Sequence, residues 1–264
     1  MNFTNCKNCN TQLQPESEFC HACGGKVIRK RLSFKNLFEH ISETFFNYDN
    51  KLLRTFIDLF KRPEAVIDGY VNGIRKRYVN PLSFFGVSLT LTGLSLFIIQ
   101  KFYTQYFDYS KIFDSEIFNN PSTQQMLQES NSWVFEYNSL IYAFMIPFMA
   151  IISVIVFFNK HYNFTEHIII YLYSMSAMMI FSTVIGQMVL FIIPEKYISF
   201  SIIFYLILFI YHGYLLKRVF KLNGVHLLLK TLFFLAVFVA AYLMLSILMG
   251  ILLILTGAID LSPQ

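Results

Sequence analysis

Five stretches of this chain carry no Asp, Glu, Lys or Arg, and each is 20 residues or longer: Tyr78–Gln100, Tyr137–Asn159, Ile168–Pro194, Tyr197–Leu216 and Thr231–Ile259. About 20 apolar residues in an α-helix cross a hydrocarbon layer ~30 Å thick. One such stretch could be a buried helix of a soluble domain, but five in succession require a membrane. Trimmed to that length, the predicted spans are 82–100, 139–158, 168–193, 197–216 and 231–256. The third and fifth exceed the minimum and are expected to tilt or to extend past the bilayer. Only Pro194, Glu195 and Lys196 separate the third from the fourth, so these two form a tight hairpin.

Composition agrees. Hydrophobic residues make up 55% of the 264 and charged residues 14%, with 30 Phe. A typical soluble domain has about 25% charged residues. An ordinary soluble enzyme could not hide this much apolar surface, and disorder is excluded for the same reason. The formal charge of +5 is uneven: residues 1–81 hold 13 Lys/Arg and 8 Asp/Glu, whereas residues 82–264 hold 8 of each. A polar, basic head thus precedes an apolar body. With the head inside, 18 basic residues fall on the inner side and 3 on the outer. This bias predicts an inner N-terminus and an outer C-terminus. The first five residues lack a basic, apolar leader pattern, so no cleavable signal is expected.

All four cysteines lie in the first 23 residues, as Cys6-x2-Cys9-x10-Cys20-x2-Cys23. Two C-x-x-C turns can present four thiolates to one ion, the tetrahedral shell that zinc prefers. Gly24 and Gly25 supply backbone freedom for amides to turn toward sulfur. With only Leu13, Phe19 and Val27 as core residues, the ribbon's folding should depend on metal. A reducing inner compartment disfavours disulfides, and two paired motifs exceed what a redox dithiol needs. One structural zinc on Cys6, Cys9, Cys20 and Cys23 is therefore expected, with His21 solvated and no open position for catalysis. Between residues 6 and 25 the only Lys or Arg is Lys7, too little phosphate-neutralising charge for nucleic acid.

Between ribbon and first span the pattern is amphipathic. Arg29-Lys30-Arg31 precede Ser33, a cap, and then Phe34, Leu37, Phe38, Ile41 and Phe45 at helical spacing. After Asn50, the residues Leu52, Leu53, Phe56, Ile57, Leu59 and Phe60 line one side of a second helix. Pro63 ends it and opens a third, carrying Val66, Ile67 and Tyr70. These helices either lie in the membrane interface, the preferred arrangement, or pack on one another as a small bundle. Arg75, Lys76 and Arg77 form a basic cluster at the membrane edge. A positive-inside anchor is the plainer role for it, and recognition of an anionic lipid the more specific one.

The paired cysteines, Arg31-Leu32-Ser33, Leu53-Arg54-Thr55, Arg62-Pro63 with Val66-Ile67 and Tyr70, Gly73, Arg75, and Arg77-Tyr78-Val79-Asn80-Pro81 occur in an order that resembles an uncharacterised family of bacterial inner-membrane proteins (domain of unknown function 3667). The resemblance covers about the first 85 residues. Its Arg-Pro…Tyr…Gly…Arg-Tyr-Val-Asn-Pro run is the most specific part. Gly25 stands where that family would have Gln. The resemblance implies a zinc-ribbon head on a multi-span helical body in the bacterial inner membrane, and it implies no activity.

The predicted spans contain no Asp, Glu, Lys or Arg, which counts against a proton pump or an ion-coupled transporter. Ser174, Ser176, Ser182, Thr183 and Gln187 are expected to bond across helices or to their own carbonyls. Gly86, Ser88, Thr92 and Gly93 offer a small-residue packing face, and Pro147 a kink. Asn119-Asn120-Pro121-Ser122 reads as a turn in an outer loop, 101–138. His161, His167, His212 and His226 fall at one membrane face, with Glu166 beside His167. A metal or proton site built from His167, Glu166 and His212 is one reading, and ordinary interfacial histidines the plainer one.

The expected fold is all-α: a zinc ribbon (1–28), amphipathic juxtamembrane helices (29–81) and a five-span polytopic bundle (82–264). No nucleotide, phosphate or hydrolase motif is present. The expected role is therefore non-enzymatic: the ribbon binds a partner or organises membrane complexes. A small transporter or channel, with the ribbon as a regulatory module, is the alternative. Candidate partners are the bilayer, a cytosolic protein at the ribbon and a second copy of the chain.

Overall fold

The computed structural model describes residues 5–27, Ser33, 51–106 and 120–255. The chain divides into two compact units, residues 1–50 and 51–264. The predicted basic run 29–31 and the amphipathic pattern from Phe34 to Phe45 lie outside the described residues, as does the end of the fifth span beyond Leu255.

In the first unit each C-x-x-C pair forms the tip of a small turn. The two turns share one geometry, 14 residues apart. The Cys6 amide donates to Thr11 O (2.9 Å) and the Asn10 amide to Cys6 O (2.8 Å). Likewise the Cys20 amide donates to Gly25 O (2.8 Å) and the Gly24 amide to Cys20 O (2.9 Å). Asn10 and Gly24, each following a second cysteine, both have positive φ (58° and 70°). Asn and Gly tolerate this left-handed conformation best. Antiparallel bridges Asn5–Gln12 and Phe19–Lys26 close the two turns. Leu13 is buried with Cys6 and Cys20, and Val27 packs on them. Phe19 does not join this core and is 55% exposed.

The second unit is helical: α1 Lys51–Lys61, α2 Pro63–Val71, α3 Pro81–Phe102, α4 Pro121–Val156, α5 Phe164–Ile192, α6 Tyr197–Val219 and α7 Gly224–Leu255. Helices α3 to α7 are each long and apolar enough to cross a membrane. Several boundaries differ from expectation, among them the start of α7 at Gly224 rather than 231. Helix α4 begins at Pro121 rather than near 139, because the Asn120 side chain accepts the Ser122 amide (3.0 Å) and Pro121 pre-sets the first helical φ. The expected turn is therefore a helix start, and α4 runs unbroken through Pro147. Helix α5 begins at Phe164, where Asn163 and Glu166 form a reciprocal capping box.

Helix α5 is the centre of the body, with a dozen buried residues along its length. Helix α3 runs parallel to it in fixed register. Ser88 meets Met179, Thr92 meets Thr183 (3.2 Å), and Gln187 donates to Ser95 O (3.3 Å) and to the Ser95 hydroxyl. This offset sets Pro81 level with about Leu172, so the first turns of α5 project beyond the start of α3. The small-residue face of α3 splits: Ser88 and Thr92 face α5, while a Cβ on Gly86 or Gly93 would meet nothing within 4 Å. Ser176 and Ser182 bond back to Leu172 O and Met179 O. A short 3-10 turn, Pro194–Lys196, closes the α5–α6 hairpin. There Gly186 lets the Tyr197 ring approach to 3.4 Å from where a Cβ would stand.

Helices α1 and α2 neither float as a separate bundle nor merely lie on a surface. They dock on α5 and α6, burying Leu59, Val66 and Ile67 completely in the main core. Phe60 packs on Phe181 and Tyr211, with ring centroids at 5.7 and 4.8 Å. Leu53 and Ile57, expected on the apolar side, are exposed, whereas Thr55 and Asp58 are buried.

Candidate metal centre

The twin turns bring the four thiols together. Cys6 Sγ lies 3.7 Å from Cys23 Sγ, and Cys9 Sγ 3.6 Å from Cys20 Sγ. All four sulfurs lie within 4.8 Å of one another. A tetrahedral ion with bonds of about 2.3 Å has sulfur–sulfur edges of about 3.8 Å, so the cage fits such an ion. Cys6 and Cys20 are buried; Cys9 and Cys23 are exposed. The surroundings favour thiolate at the exposed pair. The Thr11 hydroxyl (3.2 Å) and amide hold the Cys9 thiol down to about 6. The Gly25 amide and the Asn8 side chain (3.6 Å) lower Cys23. His21 is exposed and outside the cage.

The other histidines are not drawn to a common point, and the group able to hold a metal among the described residues is the four cysteines. His167 is buried, with Nδ1 2.9 Å from the Ser153 hydroxyl and its ring against Phe220. The Glu166 carboxylate accepts the Asn163 amide (2.7 Å) in the α5 cap. His212 uses Nδ1 on Leu208 O (2.9 Å). Arg75, Lys76 and Arg77 are exposed in the loop before α3. The Arg75 guanidinium lies over the Tyr70 ring and that of Arg77 over Tyr78, both at 5.5 Å. Lys76 is exposed between them.

That loop ends in a polar joint whose members the sequence displayed but whose purpose it did not. Asp58 accepts from Arg62 through both carboxylate oxygens (3.0 and 3.1 Å) and from the Tyr78 hydroxyl (2.8 Å). Burial pushes the Asp58 carboxyl up. The Arg62 and Tyr78 hydrogen bonds, with the Arg62 and Arg77 charges, outweigh it and hold the group below the usual carboxylate range. Thr55 Oγ1 accepts the Val79 amide (3.0 Å), and Val79 O accepts the Tyr173 hydroxyl (2.7 Å). Asn80 caps α3 through Leu82 N (2.9 Å) and donates to the Tyr70 hydroxyl (3.3 Å). On the far side Arg218 of α6 pairs with Glu64 of α2, and the Tyr162 hydroxyl donates to Asp68.

Together the cysteine cage and the spans define an integral, polytopic helical membrane protein with a four-cysteine head able to hold a metal ion. Residues 49–93 match the model of the family described as "Protein of unknown function (DUF3667)". The matched segment contains α1, α2, the polar joint and the first half of α3, and leaves out the cysteines. No curated protein and no solved structure matches the chain. Among the residues that carry the resemblance, Thr55, Tyr70, Tyr78, Val79 and Asn80 make hydrogen bonds that join α1 and α2 to the start of α3 and to α5.

Proposed function

We propose that this chain is a bacterial inner-membrane protein, N-terminus inside, whose head is a structural zinc centre that engages a cytosolic protein. The five-span body fixes that head at the bilayer. The observation that carries the reading is the form of the head. Four sulfurs complete a tetrahedral shell and leave no position for a substrate, which favours a structural over a catalytic ion. Meanwhile Phe19 stands 55% exposed beside the cage. Exposed aromatic rings on rigid supports are preferred protein-contact residues. Lys7 and Lys26 are the only cations from residue 5 to 27, a poor match for nucleic acid. The excess of Lys and Arg on the inner segments supports the orientation.

Capture experiments on the detergent-solubilised full chain test this reading. Phe19→Ser should abolish recovery of the partner captured by the unaltered chain while about one zinc per chain is retained. Cys20→Ser should lose both. Equal capture by all three proteins would defeat the reading. So would solute flux through vesicles reconstituted with the protein, which would make the body a transporter.

A further inference from the structure

The loop between α2 and α3 carries Arg75, Lys76 and Arg77 in succession, all three exposed. No carboxylate among the described residues lies within ion-pair distance of any of them. The acids of α1 and α2 are already held: Asp58 by Arg62 and Tyr78, Glu64 by Arg218, and Asp68 by the Tyr162 hydroxyl. Other cations at this end of the bundle are spent in turn. Arg62 and Arg218 are paired with those acids, and Lys230 donates to Val156 O and to Asn159 Oδ1 (3.2 Å). Three like charges on consecutive residues repel one another, and an anion is their complement.

The two guanidiniums are propped on aromatic rings. That of Arg75 lies over Tyr70 and that of Arg77 over Tyr78, each 5.5 Å from the ring centroid. Both rings are themselves fixed. The Tyr70 hydroxyl accepts from Asn80 Nδ2 (3.3 Å), and its ring meets that of Tyr173 edge-on at 6.0 Å. Tyr78 is buried and donates to Asp58 (2.8 Å). A planar guanidinium held on an aromatic face keeps its N–H fork for a phosphate and loses little freedom on binding one. Three consecutive residues span no more than about 7 Å of backbone, so their side chains can reach a single phosphate.

Depth decides what brings that phosphate. Arg77 stands four residues before Pro81, the first residue of a helix long and apolar enough to cross a membrane. The cations are bracketed in sequence by Ile74 and Leu82, which are 51% and 68% exposed. A soluble phosphate would leave both side chains in water, whereas a phospholipid sets its phosphate directly above its acyl chains. We propose that Arg75, Lys76 and Arg77 bind the phosphate of one anionic phospholipid, whose chains cover Leu82 and Ile74. A choline or ethanolamine headgroup brings a cation of its own to three others, so the lipid must carry net negative charge. A positive-inside anchor needs charge alone and would be served equally by three lysines. The lipid site needs the two planar forks on their tyrosines, and it does not depend on the metal in the head.

The test uses the full chain in phosphatidylcholine nanodiscs doped with phosphatidylglycerol, with the lipid retained on the protein counted by native mass spectrometry. One phosphatidylglycerol per chain should be retained in preference to phosphatidylcholine. Arg75→Gln, Lys76→Gln and Arg77→Gln together should cut that preference about 100-fold, at about fivefold per cation. Arg75→Lys with Arg77→Lys keeps the charge but not the planar fork, and should still cut it about fivefold. Lys217→Gln with Lys230→Gln should leave it intact. Equal retention of the two lipids by the unaltered chain overturns the proposal whether or not the variants fold. Full preference in the double lysine variant would reduce the cluster to an orienting anchor and overturn it too. So would loss of preference in the Lys217 and Lys230 variant alone, which would place the lipid elsewhere. Binding of glycerophosphoglycerol, the same headgroup without chains, as tightly as the lipid would make the ligand a soluble phosphate and equally overturn it.

Discussion

The Tyr78 hydroxyl donates to Asp58 Oδ2 at 2.8 Å, in the interior of the joint between α1 and the first span. Twenty residues separate the two, and the bond fixes where the chain enters α3. Arg62 holds the same carboxylate from its more solvated side, its own side chain half exposed. Tyr78→Phe should cost about 1.5–3 kcal/mol, the range for a hydrogen bond to a charged group. Asp58→Ala should cost more, because it strands both the Tyr78 hydroxyl and Arg62. Thermal unfolding of the purified protein in detergent measures both. Equal stability of Tyr78→Phe and the unaltered chain would show that the bond does not hold the joint.

The same joint predicts an acid limit. Asp58 is held low by Arg62 and Tyr78 against burial, and Glu64 by Arg218. A carboxyl lowered in the folded state adds stability that is complete above its unfolded value, near pH 4, and is lost as pH falls through the folded value. The melting temperature should therefore vary little from pH 7 to about pH 5 and fall below about pH 4. Asp58→Asn combined with Glu64→Gln should flatten that fall. An unchanged slope in the double variant would assign the acid limit to other groups.

Much of the fold was legible because apolar length alone reports a span. Less visible was what the amphipathic helices pack against. The pattern around Leu52, Phe56, Leu59 and Phe60 is apolar at helical spacing whether the neighbour is lipid or protein. The clue lay in Thr55 and Asp58, polar residues on the same face as Leu59, a phase that an interfacial helix would avoid. Phe19 misled in the opposite direction: in a module with few buried residues, an aromatic side chain is not obliged to be core. The start of α4 was hidden because Asn120-Pro121-Ser122 suits a turn and a capped helix N-terminus equally. The cysteine cage was fully legible, since sulfur spacing and cage geometry are one constraint.

Register between α3 and α5 rests on a polar seam inside the bundle. Gln187→Leu leaves Ser95 without its partner and should cost about 0.5–1.5 kcal/mol, the scale of such bonds between spans. Gly86→Ala, facing open space, should cost less than that in the isolated chain. A reversed order, read by unfolding in detergent, would mean that α3 packs through its glycines.

The proposed topology, five crossings with the head inside, predicts that a reporter fused after Gln264 is active only in its periplasmic form. Activity of a cytosolic reporter there would mean that one of the five helices does not cross.

The metal content of the full chain is the most direct measurement. Elemental analysis of protein purified without added metal, coupled to thiol titration, should find about one zinc per chain and four thiols that react only after chelation. Cys20→Ser and Cys23→Ser should each release the ion while the five spans still insert. A folded head with four freely reactive thiols and no metal, or thiols locked as disulfides, would contradict the account.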